Sequence, residues 1–175
     1  MTADVIVVGG GIIGLCSATS IARRGLRVTL VSEPRSGESS VAAAGMLAPS
    51  VEKSTGPAHK FAVAGRDLYP SYLEELAEET GIRVPLNRLG VLQVALSERG
   101  VQGLRKTAAP GSTWLERAEL ATLEPTLGHA LGAVHNPDDG AVDNVILLSA
   151  LEHLASVSKL ITRVAGNALS VDADA

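Results

Sequence analysis

The 175-residue sequence is poor in the residues that build disulfide scaffolds and aromatic binding surfaces. Cys16 is its only cysteine, so no intrachain disulfide can form, and an intracellular setting fits. Its aromatic residues are Phe61, Tyr69, Tyr72 and Trp114, which are too few for the stacking platform that binds single-stranded nucleic acid. These shortages exclude a disulfide-stapled domain and an aromatic nucleic-acid platform.

The charge pattern and the apolar runs exclude further classes of partner. The net charge is −4 and no basic block stands out, which argues against nucleic acid. The longest apolar run begins at Val5 but is broken by glycines, and Asp4 stands where a signal peptide carries basic residues. The histidines lack metal-ligand spacing, so we predict no metal site. We expect a cytoplasmic protein that binds neither nucleic acid nor membrane.

The beginning of the chain has the pattern of a strand, a helix and a second strand. Residues 4–8 are β-branched and apolar on both faces, as in a buried parallel strand. A glycine cluster precedes a helix predicted over residues 12–24, which Gly25 ends, and residues 27–32 form a second apolar strand. These elements lie within about 30 residues, so they predict a βαβ unit with a parallel sheet.

The glycine cluster matches the G-x-G-x-x-G pattern of dinucleotide-binding turns. Gly9 would permit the tight turn, Gly11 would let a pyrophosphate approach the backbone, and Gly14 would let helix and strand pack closely. The amides of Ile12 and Ile13, at the start of the helix, would face the phosphates. Because a strand precedes the pattern and a helix opens inside it, we predict a dinucleotide site.

An acidic residue follows the second strand, roughly 20 residues after the glycine turn. This residue, Glu33, is suited to accept hydrogen bonds from a ribose diol and to repel a 2′-phosphate. NADP is therefore disfavoured, and FAD and NAD both remain.

The stretch SSVAAAGMLAPS, residues 39–50, contains no charge, no aromatic ring and nothing larger than Met or Leu. Small residues in series suit a loop that lies along an extended cofactor, and they also suit a tightly packed helix start. The residues alone leave both interpretations open. The stretch lies in a predicted loop over residues 34–57.

The rest of the chain predicts one long amphipathic helix followed by short strands and helices. The helix is predicted over residues 58–80, and a later helix over 144–157 is capped by Asp143. Asp138 and Asp139, which precede a glycine, are interpreted as turn residues rather than as an acid–base pair.

Three segments resemble the glycine oxidase branch of the D-amino-acid oxidase family: VIVVGGGIIG, RGLRVTLVSE and AAAGMLAP. The resemblance implies an α/β fold, a partial Rossmann-type FAD-binding domain with the start of an inserted antiparallel substrate-binding sheet. It implies an FAD-binding portion over residues 1–80, the first part of the substrate-binding domain over 81–142, and a return to the FAD-binding domain over 143–175.

The resemblance also implies an activity: oxidative deamination of glycine or another small amine by hydride transfer to FAD. Oxygen would reoxidise the flavin to give hydrogen peroxide, and the pathway would be thiamine thiazole synthesis. A sarcosine-type oxidase and a D-amino-acid dehydrogenase remain as alternatives within the family, and a non-catalytic FAD- or nucleotide-binding module is the alternative from another class. A homo-oligomer of the full-length protein is left open.

Site residues follow from the resemblance at matching positions. Ile12 and Ile13 would contact the pyrophosphate through their amides, and Glu33 would hold the adenosine ribose. Ser39 and Ser40 would lie near the phosphates or the ribityl chain.

The remaining assignments concern the two ends of the cofactor. Pro34 would lie beside the ribose, and the main chain at Ala168 would contact the adenine. Ala44, Gly45 and Met46 would lie against the flavin. Members of the family are longer, and their second half supplies the arginine that pairs with the substrate carboxylate. We therefore assign no catalytic residue and expect the N-terminal part of a longer protein.

Overall fold

The computed structural model describes residues 2–34, 36–52 and 54–170, so the last five residues of the predicted segment 143–175 lie outside the described part. Its elements follow in chain order: β1 (Val5–Val8), α1 (Ile12–Arg23), β2 (Val28–Ser32), α2 (Ser39–Ala42), β3 (Met46–Leu47), α3 (Gly56–Thr80), β4 (Leu86–Asn87), β5 (Val91–Ala95), α4 (Glu98–Thr107), β6 (Thr113–Glu116), α5 (Arg117–Leu123), a 3-10 turn (Pro125–Leu127), β7 (Gly132–Asn136), β8 (Gly140–Val142), α6 (Asn144–Val157) and β9 (Ile161–Ala165).

The chain forms two compact units, each described here by itself. The first unit comprises Met1–Gly45, Ser71–Pro85 and Asp143–Ala175. The second comprises Met46–Pro70 and Leu86–Val142. The predicted functional boundaries at residues 80 and 142 stay a prediction.

The first unit contains the expected βαβ arrangement. Strands β1 and β2 pair in parallel, and β2 pairs in parallel with β9, which gives the strand order β1-β2-β9. Apolar residues of three helices and the sheet contribute to the core: Leu15, Ala18 and Ala22 of α1, Val28 and Leu30 of β2, Leu73 and Leu76 of α3, Leu147 and Leu151 of α6, and Ile161 of β9. The prediction of a fully buried first strand is wrong, because Ile6 and Val8 of β1 are 66% and 57% exposed.

An ion pair joins the chain just before β1 to the chain just before β2. Asp4 accepts hydrogen bonds from the Arg27 guanidinium at 2.8 and 3.1 Å and from the Arg27 backbone amide at 2.8 Å. The hydrogen bonds from the Arg27 side chain have the largest effect and the bond from its backbone amide the next largest, and they lower the pKa of Asp4 from 3.8 to about 2. The carboxylate is therefore more stable in the folded protein than in the unfolded chain.

We expect this pair to make stability depend on pH in acid. A folded pKa below the unfolded value means that the contribution is complete above pH 3.8 and disappears as pH falls through about 2. Asp4→Asn should flatten the acid limb of a stability-against-pH curve within that window and leave the neutral limb parallel to that of the parent. An Asp4 carboxyl that titrates near 3.8 by NMR would contradict the prediction.

The second unit contains two small antiparallel sheets, with strand orders β5-β7-β6 and β3-β8-β4. Leu120, Ala130 and Ala133 form a buried cluster against which partly buried apolar residues pack: Leu92, Val94, Leu115 and Leu127. The antiparallel pairing expected of the inserted sheet is therefore present.

The predicted loop over residues 34–57 is corrected by the structure, which forms α2 and β3 within it. Met46 and Leu47 pair with Ala141 and Gly140 of β8, far along the chain. Local sequence gives no periodic signal for a two-residue strand, because its hydrogen-bond partner is distant.

Asp139, which was predicted to be a turn residue, also makes buried side-chain contacts. Its side chain is fully buried and accepts hydrogen bonds from the Ser50 hydroxyl and from Arg66 Nη1, both at 3.0 Å. Burial opposes the charge of Arg66, but hydrogen bonds from its guanidinium to Asp67 and Asp139 outweigh that effect and raise its pKa. The buried carboxylate is thus paired, as a buried charge must be.

Candidate nucleotide-binding cleft

The first unit has a cleft of about 720 Å³ at the carboxyl ends of its parallel strands. In open α/β sheets, ligands bind in the crevice at this edge of the sheet. The structure brings seven of the predicted site residues into its lining: Gly9, Gly11, Glu33, Pro34, Ser39, Ser40 and Ala168. Residues that are far apart in sequence therefore lie around one cavity, at the carboxyl ends of the strands.

The glycine turn forms one wall of the cleft. Gly9 has φ +106°, a left-handed conformation that favours glycine. Gly11 is the extended N-cap residue of α1, and its carbonyl accepts the first helical hydrogen bond from Leu15 N–H at 2.9 Å. The amides of the first helical turn therefore lack partners within α1, which is the condition for binding an anion at a helix start.

Close packing explains the other glycines of the turn. A Cβ at Gly14 would overlap the carbonyl oxygen of Gly9 and approach its carbonyl carbon at 2.9 Å. A Cβ at Gly10 would lie 2.6 Å from Ser32 Oγ. Gly14 has the role predicted for it in close packing, whereas the sequence predicts no role for Gly10, because its neighbour Ser32 belongs to β2.

Ser40 contacts the glycine turn through its hydroxyl group. The Ile12 backbone N–H, expected to face a phosphate, donates to Ser40 Oγ at 3.0 Å. A Cβ at Gly11 would lie 2.8 Å from the same oxygen. The Ser40 hydroxyl therefore lies close to the backbone of the glycine turn.

Asn167 contacts the predicted ribose carboxylate. Its Nδ2 donates to Glu33 Oε2 at 2.6 Å. The pairing of Ser32 with Ala165 sets this contact, because both strands leave the sheet at the same edge. Sequence reasoning missed Asn167, which stands 134 positions from Glu33 with no local motif around it.

Five predicted residues besides Gly14 are outside the lining of the cleft. Ile12 and Ile13 begin α1, and the Ile13 side chain is 81% exposed. Ala44 and Gly45 are the last two residues of the segment Met1–Gly45 of the first unit. Met46 belongs to the second unit, where it lines a groove of about 190 Å³. The lining therefore contains predicted phosphate, ribose and adenine residues, but it includes neither the two isoleucines predicted to face the phosphates nor the predicted flavin residues.

Two further observations concern the described ranges alone. Within residues 2–34, 36–52 and 54–170, His, Cys, Asp and Glu side chains form no group of three or more that could hold a metal ion. The helices in those ranges include none with the length and apolar character of a membrane span.

Comparison with known sequences gives relatives over most of the chain. The bifunctional protein ThiO/ThiG of Synechocystis sp. is 35% identical over 158 residues, which cover 88% of this chain and 23% of that protein. The glycine oxidase of Geobacillus kaustophilus is 37% identical over 164 residues, covering 87% of this chain and 43% of that protein. The D-amino-acid oxidase of Streptomyces coelicolor is 37% identical over 122 residues, covering 67% and 36%.

Solved structures share the fold. The crystal structure of the G. kaustophilus glycine oxidase matches with a TM-score of 0.86 and 31% identity, over 93% of this chain and 46% of that one. The L-α-glycerophosphate oxidase of Mycoplasma pneumoniae, solved with FAD bound, matches with a TM-score of 0.78 at 22% identity and shows the fold alone. The predicted α/β fold class, with its partial Rossmann-type domain, is confirmed.

The chain spans less than half the length of each of these proteins. The resemblance to the N-terminal part of glycine oxidases, predicted from three motifs, is confirmed by the matches to ThiO/ThiG and glycine oxidase. A sequence profile described as "FAD dependent oxidoreductase" matches residues 4–163, well over half of the chain. The protein therefore belongs to this family of FAD-dependent oxidoreductases, whose cofactor is FAD.

Proposed function

We propose that the cleft of the first unit binds the adenosine and pyrophosphate portions of FAD. The observation that carries this proposal is that the glycine turn and Glu33 line one cavity of about 720 Å³. The cavity fits the group in two respects. Gly11, the second glycine of the turn, adds no side chain to the cavity wall, and the Glu33 carboxylate, held by Asn167 through Oε2, lies in the same lining.

Each predicted residue has a definite task in this proposal. The first-turn amides at Ile12 and Ile13 face the pyrophosphate, with Ser39 and Ser40 beside them. Because the Ile12 amide already donates to Ser40 Oγ at 3.0 Å, it acts through the Ser40 hydroxyl, which keeps its own hydrogen to donate. Glu33 and Pro34 hold the ribose, and the main chain at Ala168 borders the adenine. Ala44, Gly45 and Met46 are proposed to contact the flavin ring, which accepts the hydride when FAD is bound.

We further propose that the complete protein oxidises glycine or a similarly small amine with oxygen, releases hydrogen peroxide and takes part in thiamine thiazole synthesis. The support is the similarity to proteins named ThiO/ThiG and glycine oxidase, at 35% and 37% identity. The match to a D-amino-acid oxidase at 37% identity supports a second candidate, oxidation of larger D-amino acids.

A peroxide assay on the complete gene product tests this proposal. We expect peroxide from glycine at a higher kcat/KM than from D-alanine, with sarcosine as the secondary-amine comparison. Faster turnover of D-alanine would favour the second candidate, and faster turnover of sarcosine would favour a sarcosine-type oxidase. Turnover with an artificial electron acceptor but not with oxygen would indicate a dehydrogenase. FAD binding without turnover of any amine would indicate a non-catalytic module.

A further inference from the structure

Asn144, the first residue of α6, is bonded to the short helix that carries Ser40. Its Nδ2 donates to the Ser40 carbonyl at 2.6 Å and makes a longer contact of 3.4 Å with the Val41 carbonyl. Asn144 is buried, with 9% of its surface exposed. Because α2 has four residues, it is far too short to be stable by its own hydrogen bonds. The side-chain amide of Asn144 donates a hydrogen bond to the backbone of α2.

Ser40 transmits this contact to the glycine turn. Its carbonyl accepts from Asn144, and its hydroxyl accepts from the Ile12 backbone N–H at 3.0 Å. The same hydroxyl lies where a Cβ of Gly11 would meet it at 2.8 Å. One residue thus receives a hydrogen bond from the start of α6 and another from the start of α1.

The neighbouring Asp143 has a different task. Its Oδ1 accepts from the backbone N–H groups of Val145 and Ile146 at 3.1 and 2.9 Å, so it caps α6. Asn144 therefore does not supply this cap, and its side-chain amide is directed to the backbone of α2. Asp143 therefore stabilises α6, whereas Asn144 contacts the backbone of α2, the helix that carries Ser40.

We propose that Asn144 is a positioning residue for the nucleotide cleft and acts through Ser40 on the Ile12 amide. Ser40 lines the cleft, whereas Asn144 does not belong to its described lining. A cleft whose hydroxyl and amide groups are already held in place loses less conformational freedom when a ligand binds. The inference rests on the proposed function only for the identity of that ligand, FAD. The expected effect on the Ile12 amide does not depend on which ligand binds.

The first test is Asn144→Asp, read by hydrogen exchange of the Ile12 amide in the cofactor-free chain. The carboxylate matches the amide in shape and is favoured in the first turn of a helix, but it has no N–H to donate. We expect Ile12 exchange to accelerate by about tenfold, as for loss of one hydrogen bond. Unchanged exchange of Ile12 would overturn the proposal. Asn144→Ala, which adds no charge, should accelerate exchange in the same way.

Asp143→Ala is the matched control, because it removes the cap of α6 and leaves the Asn144 amide in place. We expect it to lower the melting temperature without selectively accelerating Ile12 exchange. If Asp143→Ala accelerated Ile12 exchange as much as Asn144→Asp did, Asn144 would have only a general stabilising role.

A double-mutant cycle with FAD tests the route through Ser40. We expect Asn144→Asp to raise the Kd for FAD by about tenfold in the parent chain and by less than about twofold in a Ser40→Ala background. Equal losses in both backgrounds would overturn the route through Ser40. Failure of the parent chain to bind FAD would overturn the proposed function, while exchange of the Ile12 amide would still decide the role of Asn144.

Discussion

The Gly11→Val variant is expected to lose FAD binding while keeping its fold. A Cβ at this position would lie 2.8 Å from Ser40 Oγ, and the two methyl groups of valine would extend into the space next to the turn. That space is where the proposal puts the pyrophosphate, which must approach the backbone of the second glycine closely. We expect affinity to fall by more than about 100-fold, equivalent to about 2.8 kcal/mol.

Flavin fluorescence during titration of the chain with FAD measures this effect. Gly103→Val is a suitable control, because Gly103 is in α4 and a Cβ there would meet no atom within 4 Å. It should retain the parent affinity. If Gly11→Val bound FAD as tightly as the parent and the control, the assignment of the pyrophosphate to the glycine turn would be wrong.

The second large effect is expected at Gly14, and it concerns folding rather than the ligand. An alanine Cβ would overlap the Gly9 carbonyl oxygen, which belongs to rigid backbone and cannot swing aside like a side chain. Relief would require α1 to move away from β1 and open the core around Leu15 and Ala18. We expect Gly14→Ala to destabilise the first unit by about 3 kcal/mol or more, at the upper end of overpacking penalties.

Gly65→Ala provides the opposite control for this prediction. Gly65 lies in α3, and a Cβ there would meet no atom within 4 Å, so alanine should stabilise the helix by up to about 1 kcal/mol. Denaturant unfolding of the three proteins measures the difference. Equal stability of Gly14→Ala and the parent would show that α1 and β1 pack less closely than the structure indicates.

Sequence reasoning succeeded where the signal is local. Residues 5–8 and 28–32 are apolar strands at the expected positions, and the glycine turn between them opens α1. The Asp143 cap of α6 was also predictable, because an N-cap aspartate contacts amides two and three residues later. Periodicity and capping depend on near neighbours, which the sequence displays directly.

The features that sequence reasoning missed depend on distant partners. Asn167 reaches Glu33 because β9 lies beside β2. Asn144 reaches Ser40 across 104 positions, and β3 exists because β8 pairs with it. These contacts are set by topology, and single-sequence patterns do not show which strand ends or helix ends meet. For the same reason, the flavin and substrate ends of the site stay a prediction.

The parallel pairing of β2 with β9 has a consequence for synthesis on the ribosome. Val28 pairs with Ile161 and Ser32 with Ala165, so β2 emerges long before its outer partner exists. At bacterial and eukaryotic elongation rates of about 5–20 residues per second, this delay is on the order of 10 s. During that time the nascent chain exposes an unpaired, β-branched strand edge, the kind of surface that invites aggregation. A chaperone that acts on nascent chains would therefore meet this protein before its nucleotide cleft has formed.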